Sequence, residues 1–140
     1  MNSLIDTNVV SEYRRSAPNP GVIDFLRKLE FGQAHLSVVT LSEIRFGVER
    51  LPRGARREQL DHWLSWELPL EFGDRVLLVS QAVANVAGEV RARAMRAGRA
   101  MGVMDAFIAA TAQVHDLTLV TRNVKDFEVW GGSVVNPWSP

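Results

Sequence analysis

The sequence predicts an α/β domain in which a central, mostly parallel sheet of about five short strands is flanked by helices. Short apolar runs alternate with longer segments of helical periodicity along the whole chain. The 140 residues contain no repeat and no long linker, so we expect a single domain spanning residues 1–140. Parallel strands joined by right-handed crossovers bind ligands at their carboxyl ends, which is where we expect a site.

The expected strands are short and apolar, and polar residues follow several of them. They cover residues 2–5, 35–39, 75–79, 118–121 and 133–135. Asp6 follows the first strand, and Thr121 closes the fourth. We therefore expect both side chains at one edge of the sheet.

The expected helices are marked by apolar residues at helical spacing and by capping residues. They cover residues 7–14, a segment starting at Asn19-Pro20, a segment from Thr40 to Leu51, a segment around Leu60 that stops before Pro69, residues 81–100, and a segment that Asp105 opens. The helix over 81–100 is the longest, and its arginines lie opposite an apolar face.

Composition excludes several classes of function. The 16 basic and 16 acidic residues give a formal net charge of zero, so overall charge provides no argument for nucleic-acid binding. The chain has no cysteine, which excludes disulfides and thiolate metal sites and is compatible with a reducing cytoplasm, where we expect the protein. The sequence shows neither a signal peptide nor an apolar run of roughly 20 residues, so no membrane association is expected.

Three acidic residues stand where a strand or turn leads into a helix: Asp6, Glu43 and Asp105. Carboxylates gathered at one sheet edge suit a hard divalent cation. Each residue also has a structural explanation, because Asp6 and Asp105 could be N-caps and Thr40 with Glu43 matches a capping box. The small and hydroxylated residues that flank all three favour a site, and a cap and a ligand role can coexist.

Several segments together resemble the PIN-domain family. They are Ile5 to Glu12, the block with Ser37, Thr40, Glu43 and Gly47, the run Asp105 to Ala112, and Leu117 to Asn123 with Asp126-Phe127. The closing Asn136-Pro137-Trp138 is similar to the end of the FitB-like branch of the VapC toxins. The resemblance covers nearly the whole chain, in the order that the family has.

The resemblance implies a Mg²⁺- or Mn²⁺-dependent ribonuclease that is the toxin of a toxin–antitoxin pair. It implies metal-binding and catalytic roles for Asp6, Glu43 and Asp105. The family often has a fourth acidic residue where this chain has Asn123, with Asp126 three residues later. It also implies a homodimer, an RNA substrate, and a VapB-like antitoxin that inserts a basic residue into the acidic pocket.

Polar neighbours of the acidic residues are expected to support them. Thr7, Asn8, Thr121 and Asn123 would orient ligands or phosphate. Arg122 either offsets charge on the scissile phosphate or pairs with Asp126. The four tryptophans could stack on bases, although packing in a core or an interface is the expectation for them.

Two other classes of function remain open from the residues alone. A receiver-type phosphoacceptor domain also gathers acidic residues at strand ends, but it needs an acidic pair after the first strand, where this chain has only Asp6. A non-catalytic PIN-like binding module would use the same acidic residues only as helix caps.

Overall fold

The computed structural model describes all 140 residues and has the predicted α/β architecture, with one five-stranded sheet. The strands are β1 (Ser3–Ile5), β2 (Ala34–Ser37), β3 (Val76–Leu77), β4 (Thr118–Val120) and β5 (Val134–Val135). Their order across the sheet is β3-β2-β1-β4-β5, and every neighbouring pair is parallel. The first strand therefore lies at the centre, and the carboxyl ends of all five strands lie at one edge.

Seven α-helices cover the two faces of this sheet. They are α1 (Thr7–Tyr13), α2 (Pro20–Lys28), α3 (Val38–Glu49), α4 (Ala55–His62), α5 (Leu68–Phe72), α6 (Gln81–Arg96) and α7 (Val103–Val114). A π-helical turn, Trp63–Glu67, joins α4 to α5, and 3₁₀ segments span Gly73–Arg75 and Val124–Trp130. No helix is both long enough and apolar enough to cross a membrane.

The sheet separates two apolar cores because successive strand residues point to opposite faces. Leu4 is fully buried in the core that α6 and α7 cover. Its neighbour Ile5 belongs to the other core, with residues of α1, α2 and α3. Burial of such a side chain contributes about 1.5–3 kcal/mol relative to exposure. The central strand is thus fixed from both sides, and this fixes the position of Asp6 at its end.

The start of α3 differs from the prediction. This helix begins at Val38 and not at Thr40, because the Ser37 hydroxyl caps it by accepting a hydrogen bond from the Val39 amide at 3.0 Å. Thr40 is consequently buried inside the first turn. The predicted capping box between Thr40 and Glu43 is wrong, and the Glu43 carboxylate is free for another contact.

The sequence predicts that the helical segment around Leu60 stops before Pro69. In the structure this segment continues past Pro69. At the π-helical turn the Leu68 amide donates to the carbonyl of Trp63, five residues earlier. The chain then continues as α5 with Pro69 in its first turn, where a proline is tolerated because it has no amide to pair.

The predicted helix over 81–100 ends early, at Arg96. Gly98 adopts a positive φ of 72°, its amide bonds to the carbonyl of Met95, and the Arg99 amide bonds to that of Ala94. This is the Schellman arrangement, in which a glycine ends the helix and satisfies its last carbonyl groups. The next helix, α7, can then begin at Val103.

Candidate metal centre

Asp6 anchors the site at the end of the central strand. It is 6% exposed and caps α1 as predicted, since its Oδ1 accepts a hydrogen bond from the Thr7 amide at 2.8 Å. Its Oδ2 accepts a second bond from the Thr121 hydroxyl at 2.7 Å. Burial raises the pKa of the Asp6 carboxyl above its ordinary value, while the bonds from Thr121 and Thr7 oppose that shift.

Thr121 and Asn8 connect the ends of β1 and β4. The Asn8 amide group donates to Thr121 Oγ1 at 3.2 Å and lies 3.5 Å from Asp6 Oδ2. The Asn8 Oδ1 accepts from the backbone amide of Arg122 at 3.2 Å, and Thr121 Oγ1 accepts from that of Asn123 at 3.1 Å. These bonds fix the orientation of the Asp6 carboxylate, which is the arrangement expected of groups that support a metal ligand.

Glu43 reaches the same edge from α3. Its Oε1 accepts a hydrogen bond from the Thr7 hydroxyl at 2.9 Å. Partial burial of the carboxylate raises the Glu43 pKa and the nearby charge of Asp6 raises it further, whereas the Thr7 bond lowers it. Thr7 therefore links the first helix to the second acidic residue, a contact between residues 36 positions apart.

Asp105 lies in the first turn of α7 but does not cap it. Gly102 occupies the N-cap position, so the predicted capping role for Asp105 is wrong. Burial and, to a smaller extent, the charges of Asp6, Asp126 and Glu43 together raise the pKa of the Asp105 carboxyl to about 6. The charges of Asp6, Asp126 and Glu43 all act on Asp105, so these three carboxylates lie within electrostatic range of it.

Asp126 joins the acidic group from the 3₁₀ segment after β4. Asp105 and Asp126 line one side of a cleft of about 440 Å³, which Arg99 and Lys125 also line. Asn123, which stands at the family's usual fourth position, caps the 3₁₀ segment through its backbone carbonyl and uses its side chain for no hydrogen bond. The two basic residues of the cleft were not predicted as site residues, because only the tertiary structure places them beside Asp105.

Arg122 does not pair with Asp126, so that alternative is wrong. No ion pair in the chain involves Arg122, and its guanidinium lies over the ring of Trp138. Arg122 and Trp138 are not neighbours in the sequence. No local sequence pattern therefore indicates their contact.

The residues fit a divalent cation of the Mg²⁺ type by their donor chemistry. All four acidic side chains, those of Asp6, Glu43, Asp105 and Asp126, supply only oxygen ligands. Besides burial, repulsion from the other three carboxylates raises the pKa of Asp105, and a cation would relieve that repulsion. No three His, Asp or Glu side chains are already arranged to hold a metal ion. Mg²⁺ does not require such a cage, because it keeps several waters and binds through one or two carboxylates.

Comparison with known proteins agrees with this architecture. The PIN domain family model matches residues 3–129. The chain is 36% identical over 135 residues to the toxin FitB of Neisseria gonorrhoeae, covering 96% of this chain and 97% of FitB. It is 32% identical over 137 residues to the VapC ribonuclease Y4jK of Sinorhizobium fredii, covering 98% of each protein.

Solved structures show the same fold. The crystal structure of FitAcB from Neisseria gonorrhoeae superposes with a TM-score of 0.92 at 35% identity, covering 98% of this chain and 99% of that one. A toxin–antitoxin complex from Klebsiella pneumoniae gives a TM-score of 0.71 at 26% identity, covering 99% of each chain. The chain therefore belongs to the PIN-domain family, among the VapC-type toxins.

Proposed function

We propose that this chain is a divalent-metal-dependent endoribonuclease, the toxin of a type II toxin–antitoxin pair, in which residues 1–140 form a single PIN domain. The observation that carries the proposal is the placement of Asp6 and Glu43 at one edge of the sheet by hydrogen bonds from Thr121 and Thr7. The pKa of Asp105, which burial and the charges of Asp6, Asp126 and Glu43 raise to about 6, agrees with this placement. Carboxylates that act on one another electrostatically repel, and a bound divalent cation would relieve that repulsion. The named relatives are a toxin and a ribonuclease, which supports the proposal.

In the proposed mechanism Asp6 and Asp105 are the nearest ligands of Mg²⁺, with Mn²⁺ as a substitute. When bound, such a cation supplies charge to a phosphodiester oxygen and lowers the pKa of a coordinated water. Glu43 would bind the cation directly or through a water, and it is the candidate for orienting the attacking water. Its hydrogen bond to Thr7 fixes the carboxylate for this task.

The remaining polar residues orient the ligands. Thr121 and Asn8 hold the Asp6 carboxylate, and Thr7 holds both Asp6 and Glu43. Asn123 supplies a neutral oxygen and Asp126 a charged one near the fourth position. We infer that Asp126 provides the fourth negative charge, because it acts electrostatically on both Asp6 and Asp105.

A VapB-like antitoxin is the proposed partner, and it would place a basic side chain among the carboxylates in competition with the cation. The chain from Klebsiella pneumoniae that shares this fold is part of a toxin–antitoxin complex. We further propose a homodimer, for which Phe46, Trp66 and Leu70 are candidate contact residues because their apolar side chains are 54%, 65% and 84% exposed.

The decisive experiment measures cleavage of a labelled single-stranded RNA by the purified chain in Mg²⁺, in Mn²⁺ and in EDTA. We expect cleavage only with metal, and none by the Asp105→Asn variant. The matched control is Asp74→Asn, because Asp74 is exposed and distant in sequence from the four acidic residues. Equal cleavage in EDTA, or by purified Asp105→Asn, would disprove the proposal.

The alternatives separate clearly from this function. A receiver-type domain has the strand order 2-1-3-4-5, whereas this sheet has the order 3-2-1-4-5, so the receiver interpretation is wrong. A non-catalytic PIN module would bind no metal. Its melting temperature would not respond to millimolar Mn²⁺, while a protein that binds metal only when folded must be stabilised.

A further inference from the structure

The carboxyl-terminal residues 136–139, here called the C-terminal strap, lie across the start of α2. The Asn19 Oδ1 accepts hydrogen bonds from the amide and the hydroxyl of Ser139, each at 3.1 Å. A Cβ atom on Gly21 would lie 2.4 Å from the Ser139 amide nitrogen, so only glycine allows this approach. The strap is therefore fixed by hydrogen bonds to the Asn19 side chain and by its close approach to the backbone of Gly21 in α2.

Trp138 is held in place by this strap. Its amide donates to Asn136 Oδ1 at 3.0 Å, and its side chain packs against the apolar core that contains Ile5. The guanidinium carbon of Arg122 lies 5.1 Å from the centre of the Trp138 ring. This is the geometry of a cation–π contact, which arginine favours because its guanidinium is flat.

Arg122 is joined to the acidic site through its backbone. Its amide donates to Asn8 Oδ1 at 3.2 Å, and the preceding residue, Thr121, bonds directly to Asp6. Its guanidinium pairs with no carboxylate. A guanidinium that rests on an aromatic face keeps its N–H groups available for a phosphate, which it can bind in a bidentate manner.

We propose that Arg122 binds a phosphate of the RNA strand next to the scissile bond, and that Trp138 positions it. The proposal rests on the ribonuclease function proposed above. The strap keeps the Trp138 ring in place, and the ring holds the exposed guanidinium through the cation–π contact while its N–H groups remain available to a phosphate. The recognised group is a backbone phosphate, so the contact is independent of base sequence.

The first test measures the affinity of the Asp105→Asn chain for a fluorescein-labelled single-stranded RNA of mixed sequence, at several salt concentrations. Adding Arg122→Gln should weaken binding about 5- to 10-fold and reduce the slope of log affinity against log salt by about 0.7. Arg122→Lys should restore the slope but only part of the affinity, because lysine cannot stack or bind in a fork. Arg91→Gln is the matched control, since Arg91 is exposed and forms no ion pair.

The second test separates positioning from a structural role, and it uses the catalytically intact chain with metal. Trp138→Leu should raise KM about as much as Arg122→Gln and leave kcat unchanged, whereas Trp138→Phe keeps a ring and should leave KM close to that of the parent chain. Gly21→Ala should displace the strap and raise KM as well. Adding Arg122→Gln to Trp138→Leu should cause little further loss, because the two residues act through one contact.

Two results would overturn this inference while leaving the proposed ribonuclease intact. In the first, the parent chain cleaves RNA, but the Arg122→Gln and Arg91→Gln variants have the same affinity for RNA and the same slope of log affinity against log salt. The second has two parts. The increases in KM caused by Trp138→Leu and Arg122→Gln add in the double variant, and both Trp138→Phe and Trp138→Leu lower kcat and the melting temperature. If the parent chain neither binds nor cleaves RNA, the proposed function fails, and the phosphate role of Arg122 fails with it.

Discussion

Asp6 and Asp105 belong to one acidic cluster, but the Asp6 carboxylate receives hydrogen bonds from Thr7 and Thr121 while the Asp105 carboxylate receives none. Asp6 is at the end of a buried strand, and its bonds partly offset the effect of burial on its pKa. Asp105 borders an open cleft and is surrounded by other carboxylates. The Asp6 half of the proposed site is therefore organised by hydrogen bonds, whereas in the Asp105 half the repulsion between carboxylates would be relieved by the proposed cation.

The largest change in stability is expected when the Asp6 carboxylate is removed. Asp6→Ala removes the acceptor for Thr7 and Thr121 and should destabilise the fold by about 2 kcal/mol, lowering Tm by about 5 °C in EDTA. Asp24→Ala is the control, because Asp24 forms only an exposed pair with Lys28 and should change Tm little. An unchanged Tm for Asp6→Ala would show that its hydrogen bonds are not structural.

The next effect concerns metal binding and pH. The Asp105 pKa of about 6 means that a proton must leave before the carboxylate can bind a cation. Affinity for Mn²⁺ should therefore be about tenfold lower at pH 5 than at pH 7.5. The Mn²⁺-induced rise in Tm, measured over a metal titration at each pH, gives this ratio, and equal affinities at the two pH values would contradict the assignment.

Without metal, Asp105→Asn should raise the melting temperature, whereas Asp6→Ala should lower it. The change for Asp105→Asn should be the smaller of the two. Because the folded-state pKa is raised from 3.8 to about 6, the stability that Asp105 contributes is full below pH 4 and is lost as pH rises through 6. At pH 7 in EDTA the neutral amide side chain of the variant avoids this repulsion, so Tm should rise by about 3 °C.

The same variant should show no stability advantage at pH 4, where the wild-type carboxyl group is protonated in the folded protein. Thermal unfolding of both proteins between pH 4 and pH 7 measures this convergence. Asp74→Asn again serves as the control. A lower Tm for Asp105→Asn at pH 7 would mean that Asp105 contributes a stabilising contact and not a repulsion.

The smallest effect concerns Asp126. Its charge contributes to the raised pKa of Asp105, so Asp126→Asn should move that pKa back toward the ordinary value. An NMR titration of the Asp105 carboxyl carbon measures the shift. Glu128→Gln is the matched control, because Glu128 pairs with Arg99 and is not among the charges that raise the Asp105 pKa. No shift in Asp126→Asn would place Asp126 outside the acidic group.

The sequence predicts acidic residues for both halves of the site, but it predicts the local contacts only of Asp6. Asp6 follows an apolar strand and precedes a helix, so both its cap role and its place at the sheet edge are predictable from local sequence. Glu43 and Asp105 were predicted to take part in helix capping, yet Ser37 and Gly102 occupy the N-cap positions. Local patterns do not resolve which of several neighbouring capping residues begins a helix, because the alternatives differ by only about 1 kcal/mol.

The sequence by itself determined the alternation of strands and helices, the parallel sheet, and the placement of Asp6 and Thr121 at its carboxyl edge. These features depend on periodicity and on neighbouring residues. Only the tertiary structure decided three contacts. Thr7 donates a hydrogen bond to Glu43, the charge of Asp126 acts on Asp105, and the Arg122 guanidinium lies over the Trp138 ring. Such contacts join residues far apart in the chain, and their pKa effects depend on burial and distance, which the order of residues does not specify.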